Sequence, residues 1–330
     1  MNNGNILLAG GQTCPVANSC TYLSSAEIYN PASDTFASTG AMATARSAPA
    51  VLLNSGKVLV SGGYACDSSG NCSSLTSAEI YDPNAGAFSS AGNMTQSRTG
   101  HTATVLSNGT VLIAGGETCT SATSCTAQSS AEIYDPVAGT FTATASNMSA
   151  ARFGASAVLL QAGLVVIAGG FDGANLPAAA ELYDPVSGVF EGIGASLNVP
   201  RFAATATLLN NGQVLVAGGS TCALPGCPSN AAEIYDPIGN TFTAVTGGMT
   251  AARFDHTATL TTNGQVYIAG GFSSCSSSCA GTASTEVFNP AAGAFTSAPS
   301  VANALAGQTA TLVANGNVLL VGRIPWRPTL

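Results

Sequence analysis

Charge is what this sequence has least of. Asp, Glu, Lys and Arg make up 7% of its 330 residues, against about 25% in ordinary globular chains. Lysine occurs once, at Lys57, and histidine twice, at His101 and His256. Eight basic residues under a net charge of −8 argue against a nucleic-acid partner, because phosphate neutralisation needs Lys and Arg in number. No uninterrupted apolar run reaches the ~18 residues of a membrane-spanning helix, so no membrane span is expected. The opening MNNGNILLAGG lacks a basic start and a cleavage-type end, so no signal peptide is expected in this chain. A sustained helical period is missing as well. Disorder is excluded from the other side: 46% of the residues are hydrophobic, far above what disordered chains carry.

What is present is a repeat. Glycine pairs stand at Gly10-Gly11, Gly62-Gly63, Gly115-Gly116, Gly169-Gly170, Gly218-Gly219 and Gly270-Gly271, at steps of 52, 53, 54, 49 and 52 residues. An apolar run precedes each pair: NILLA, KVLVS, TVLIA, LVVIA, QVLVA, QVYIA. A variable stretch follows, then AEIYN, AEIYD, AEIYD, AELYD, AEIYD or TEVFN, each with Pro next. An aromatic closes each unit: Phe36, Phe88, Phe141, Phe190, Phe242 and Phe295.

Each unit reads as four short strands, a to d. In the third, HTATVL (101–106) is Thr- and Val-rich, as strands favour. Asn108-Gly109 suits a tight hairpin, since both residues tolerate positive φ. TVLIA is apolar without alternation, which predicts burial on both faces. SAEIYD alternates and is ended by Pro136, which cannot donate to a ladder. Thr140 and Phe141 lie in strand d. Such a unit cannot bury its own faces, so units must stack, and a closed ring of them is a propeller.

The glycine pair, the Tyr one strand later and the aromatic after it resemble the Kelch-repeat β-propeller family, with Phe where that family usually has Trp. The resemblance implies an all-β fold of four-stranded antiparallel Kelch blades in a single domain, 1–330. The units run about 1–42, 43–94, 95–148, 149–197, 198–249 and 250–301, with a partial unit at 302–322 and an unassigned tail, 323–330. Six blades are expected, with seven as the alternative, and the C-terminal strand QTATLV (308–313) closing the first blade. NVLLVG (317–322) is then an extra b strand, either a cut-off seventh blade or an edge that pairs with another chain.

Ten cysteines fall in pairs between the glycines and strand c: Cys14/Cys20, Cys66/Cys72, Cys119/Cys125, Cys222/Cys227 and Cys275/Cys279. A zinc site wants fixed CxxC spacing and four ligands together, and a thioredoxin-like motif wants CxxC beside a helix. Neither occurs, so local disulfides are the reading, five in all, with Cys14 bonded to Cys20 in the first unit. They imply an oxidising compartment and an extracellular or cell-surface location. The loops they staple emerge at the same end as the d–a links and form the natural recognition face.

Five arginines hold one repeat position, Arg46, Arg98, Arg152, Arg201 and Arg253, each 19 or 20 residues after a strand-c glutamate: Glu27, Glu79, Glu132, Glu181 and Glu233. Repeated structural ion pairs are expected; a ring facing an anionic ligand is the alternative. The register fails at Glu286, whose matching position is Leu305, so Glu286 is expected to find another partner. His101 and His256 stand three residues after a repeat arginine and read as strand residues rather than ligands.

Galactose oxidase and its relatives, copper–radical enzymes with Kelch repeats, would imply two tyrosines, two histidines and a Cys–Tyr cross-link around copper. Here five tyrosines (Tyr29, Tyr81, Tyr134, Tyr183, Tyr235) sit at the repeat strand-c position, while Tyr22, Tyr64 and Tyr267 follow no such pattern, and every cysteine has a partner. No catalytic, cofactor or metal site is expected. The chain reads as a non-catalytic extracellular module that binds a protein or glycan through its stapled loops. A structural subunit of an extracellular homopolymer is one alternative, with self-association through the extra C-terminal strand. The other is a Kelch-type sugar isomerase or mutarotase, for which Asp255, Glu117, Asp172 and the two histidines are the loose candidates.

Overall fold

A computed structural model describes residues 1–16, 19–67, 70–223, 226–275 and 279–322, without the side chains of residues 14–16 and 19. The tail 323–330 therefore lies outside the described residues. The fold is an all-β, six-bladed β-propeller, and no helix occurs among the described residues. No helix is thus long and apolar enough to cross a membrane. Residues 1–153 with 184–190 make one compact unit, and 154–183 with 191–330 a second.

The third blade shows how sequence becomes sheet. Its strands Thr102–Val105, Val111–Ala114, Ala131–Asp135 and Thr140–Ala143 pair in that order, all antiparallel. The a–b hairpin turns on Gly109 at φ +85, with the Leu106 N–H donating to the Thr110 carbonyl at 2.8 Å. Strand b is buried along its whole length. Val111 and Ile113 join Leu53, Leu59, Ala78, Met94 and Tyr134 in one cluster. Both faces of a b strand are covered, which is why it is apolar without alternation. Each fully buried aliphatic side chain contributes about 1.5–3 kcal/mol. The second unit repeats the pattern around Leu215, Val266, Ile268 and Phe288.

Strand c alternates because its Tyr packs inward against the aromatic of strand d. Tyr134 stands opposite Phe141, with ring centroids 4.7 Å apart. The same pair recurs as Tyr29–Phe36, Tyr81–Phe88, Tyr235–Phe242 and Phe288–Phe295 at 4.8–4.9 Å. Phe does at this position what a larger indole could: a tilted aromatic pair adds about 0.5–1.5 kcal/mol beyond its buried area.

The glycine pairs have a sharper role than ending strand b. Gly115 and Gly116 both have positive φ, +66 and +83. A Cβ on Gly115 would sit 2.3 Å from the Arg152 carbonyl oxygen, and the Gly116 N–H donates to that oxygen at 2.8 Å. Gly63 N–H does the same to Arg98, Gly219 to Arg253 and Gly271 to Leu305, each at 2.8 Å. Each pair thus docks the backbone of a d–a link.

The first blade has three strands, Ile6–Ala9, Ala26–Asn30 and Thr35–Ser38. The strand expected to complete it, Thr309–Leu312, pairs instead with Val318–Val321. That hairpin turns on Asn315-Gly316, and a short local turn closes at less entropic cost than a long-range pairing.

Candidate functional site

Four disulfides are described, one fewer than the five expected: Cys66–Cys72, Cys119–Cys125, Cys222–Cys227 and Cys275–Cys279. The difference falls on Cys20. This cysteine is half-buried on the strand Ser19–Tyr22 and is disulfide-bonded, not a free thiol. Its expected partner is Cys14, whose side chain lies outside the described residues. The expected Cys14–Cys20 bond lies outside the described residues.

Cysteines 66/72, 119/125 and 275/279 face each other across short hairpins. Each hairpin stands beside a d–a link: isolated bridges join Ser47 to Tyr64, Thr99 to Glu117 and Phe254 to Phe272. Loops and links therefore share one end of each sheet.

The ion pairs differ in register from the sequence expectation. Partners lie one repeat further on: Arg46–Glu79, Arg98–Glu132 and Arg253–Glu286 meet at 2.9, 3.0 and 3.0 Å, and Arg201 pairs with Glu233. Each of these four arginines points forward from its d–a link into the blade that follows, not back to the blade before. Glu286 thus finds Arg253, and it is Glu27, in the first blade, that is exposed. Arg152 and Glu181 are both buried. The anionic-ligand ring fails on the same geometry, because these guanidiniums are consumed. Arg253 donates to the Gly270 and Ser284 carbonyls and the Ser284 hydroxyl as well as to Glu286. Glu286 in turn accepts from the Thr250 backbone N–H at 2.6 Å. Burial draws the guanidiniums of Arg46, Arg98, Arg201 and Arg253 downward, opposed by their glutamates.

The histidines are buried at the head of strand a. His101 Nε2 meets the Ser61 hydroxyl at 3.1 Å and His256 Nε2 meets that of Thr205 at 3.0 Å. Burial, then the nearby Arg98 or Arg253, pushes each imidazole down to about 3, so both are neutral at ordinary pH. Asp172 is spent on its own loop, accepting from the Ala174 and Asn175 N–H groups at 2.7 and 2.6 Å. Those bonds hold its carboxyl below the usual range. Asp255 adopts φ +51, where equivalent positions hold Gly100, Gly154 and Gly307. Its N–H donates to the Ala203 carbonyl at 3.1 Å, and its carbonyl accepts from Gly307 at 3.0 Å.

Glu117 is differently placed. It follows its glycine pair directly, as Tyr64 does one blade earlier. The two are within electrostatic reach: burial, then the Glu117 charge, raises the Tyr64 phenol. Tyr22 stacks edge-on against Tyr64 with centroids 5.9 Å apart. Two phenols and a carboxylate therefore share the loop-bearing end of the first unit. The sequence marks Glu117 as a loose candidate and Tyr22 and Tyr64 as tyrosines outside the repeat pattern, but carries no signal that the three come together.

No protein-family description matches the sequence, and no curated protein matches it. The solved structure of a fungal alcohol oxidase of the AA5 family, in complex with copper, is similar in fold. The TM-score is 0.73 at 18% identity, over 96% of this chain and 67% of that one. This corrects two expectations, that the chain is a non-catalytic module and that it is not an enzyme. The first took the fold for a recognition scaffold, and a propeller matching nearly all of this chain belongs to an oxidase.

Copper itself does not fit the described residues. Both histidines are buried with Nε2 bonded to hydroxyls, and none of the described cysteines is free to cross-link a tyrosine. Tyr81, Tyr134 and Tyr235 are packed beneath their strand-d aromatics. The one cluster with metal-ligand spacing among the described residues, Glu117, Cys119 and Cys125, has its two sulfurs bonded to each other.

Proposed function

We propose that the chain is an enzyme that moves protons on a hydroxyl-bearing substrate of the sugar or alcohol class. The observation that carries this reading is the cluster of Tyr22, Tyr64 and Glu117 at the loop-bearing end of the first unit. Glu117 is a carboxylate within electrostatic reach of Tyr64, a phenol held in its protonated, donating form. A base and a donor so placed can take a proton from one substrate oxygen and return one to another. The half-buried ring of Tyr22 supplies an apolar platform, as ligand sites commonly do. The AA5 neighbour acts on alcohols, which supports the substrate class and not the copper chemistry.

The same reading takes the repeat as Kelch type, 1–330 as one propeller domain and the location as extracellular. The glycine–tyrosine–phenylalanine spacing and the four disulfides support it. The test is a panel of aldoses and simple alcohols incubated with chelator-treated, oxidised protein and followed by NMR. Turnover should be indifferent to chelator and fall at least about a hundredfold in Glu117→Gln. No turnover with any substrate, or turnover only with added copper, sinks the proposal.

A further inference from the structure

We propose that the Cys119–Cys125 hairpin is a latent metal site: on reduction it becomes a two-thiolate, one-carboxylate site for a zinc-like divalent ion. The inference is independent of the enzymatic reading. Glu117 and Cys119 are two apart on strand Glu117–Ser121, so they point to the same face. Cys125, on Ser124–Ala127, stands directly across from Cys119. One ligand atom from each of the three lies within 4.8 Å of the other two. No other described disulfide has a carboxylate grouped with it in this way.

The hairpin does not depend on its disulfide for position. Glu117 and Thr99 exchange backbone hydrogen bonds at 2.8 and 2.9 Å. The Thr118 hydroxyl donates to the Ser97 carbonyl at 2.6 Å, and the Cys119 N–H donates to the Ser74 hydroxyl at 2.9 Å. Cys119 itself is buried. When the sulfur–sulfur bond opens, Glu117 and Cys119 stay where the neighbouring sheet holds them, and only Cys125 must swing. Preorganised ligands cost less to assemble around an ion.

The chemistry balances with a thiol reductant. Two molecules of thiol give two electrons and two protons to the Cys119–Cys125 bond; it breaks, the reductant's own disulfide forms, and two cysteine thiols result. A divalent ion then displaces two protons and takes two thiolates and one carboxylate oxygen. Thiolate-rich sites select zinc, cadmium and other soft ions over calcium or magnesium. Three protein ligands leave the fourth tetrahedral position open.

The test uses whole protein reduced under argon and titrated with cadmium, whose thiolate charge-transfer absorption counts bound sulfur, then with zinc in competition. One tight site per chain is expected. It should vanish in the Cys119→Ser, Cys125→Ser double variant and persist in Cys66→Ser, Cys72→Ser. In Glu117→Gln it should weaken by at least about tenfold, the loss that even outer-shell partners cause. Circular dichroism of each variant checks the fold. Equal tight binding without Cys119 and Cys125, an unchanged affinity in Glu117→Gln, or no tight site in folded reduced protein overturns the proposal.

Discussion

The Arg253 guanidinium meets the Glu286 carboxylate at 3.0 Å, and neither side chain reaches water. Arg253 lies on the link into the blade that carries Glu286, and its carbonyl accepts from the Gly219 N–H of the preceding blade, so this residue ties one blade to the next. Removing one partner of a buried pair leaves the other charge stranded, at about 3–5 kcal/mol. Glu286→Ala should therefore lower the denaturant midpoint severely. Glu27→Ala, at the same repeat position but exposed, should change stability by no more than about 0.5 kcal/mol. Equal losses in urea titrations would show that the pairs do not bind the blades.

The glycine pairs permit a cleaner separation of two costs. Gly115 and Gly139 have almost the same backbone angle, φ +66 and +68. A Cβ at Gly139 meets nothing within 4 Å, whereas at Gly115 it meets the Arg152 carbonyl at 2.3 Å. Gly139→Ala should cost only the left-handed penalty, about 1–2 kcal/mol. Gly115→Ala must also push away the link, and should cost at least twice as much. Similar melting temperatures for the two variants would mean that the link docks loosely.

The buried histidines set a pH dependence with a definite sign. Their folded pKa is about 3, below the unfolded value near 6.5. Protons bind the unfolded chain first, so this stability is complete above about pH 6.5 and is lost as pH falls toward 3. Each histidine contributes a slope of about 1.4 kcal/mol per pH unit in that window. Arg98 and Arg253, the cations facing them, act in the same direction. His256→Ala, which copies the alanine at position 204, should flatten the acid limb of the stability curve. A curve of unchanged slope would place the acid sensitivity elsewhere.

How far the sequence reaches can be judged from single residues. The strand-b run TVLIA, the Asn108-Gly109 turn and the Tyr134–Phe141 pair were legible because each depends on local spacing. The partner of Arg46 was not. Spacing alone points equally to Glu27, behind it, and Glu79, ahead of it. The choice depends on which blade the d–a link leans toward, and that is a long-range contact. The Tyr22–Tyr64–Glu117 cluster was hidden for a similar reason. Its members come from three successive loops and become neighbours only when blades stack. A missing catalytic motif in such a sequence therefore says little, because a propeller assembles its site across repeats and not along them.

Backbone strain gives a last test, at the links of the second unit. The Ala203 N–H donates to the Gly154 carbonyl at 2.8 Å, and the chain of such bonds runs on to Asp255 and Gly307. Ala203 and Asp255 hold φ +52 and +51 there, a conformation that glycine adopts freely and alanine does not. Ala203→Gly should relieve about 1–2 kcal/mol of strain while adding back about 0.5–1 kcal/mol of unfolded-chain entropy. The net is a gain of up to about 1.5 kcal/mol. Asp255→Gly should gain less, since aspartate tolerates this region better than alanine. Thermal unfolding of the two variants reads the order directly. A loss of stability in Ala203→Gly would mean that its methyl group packs well enough to outweigh the strain.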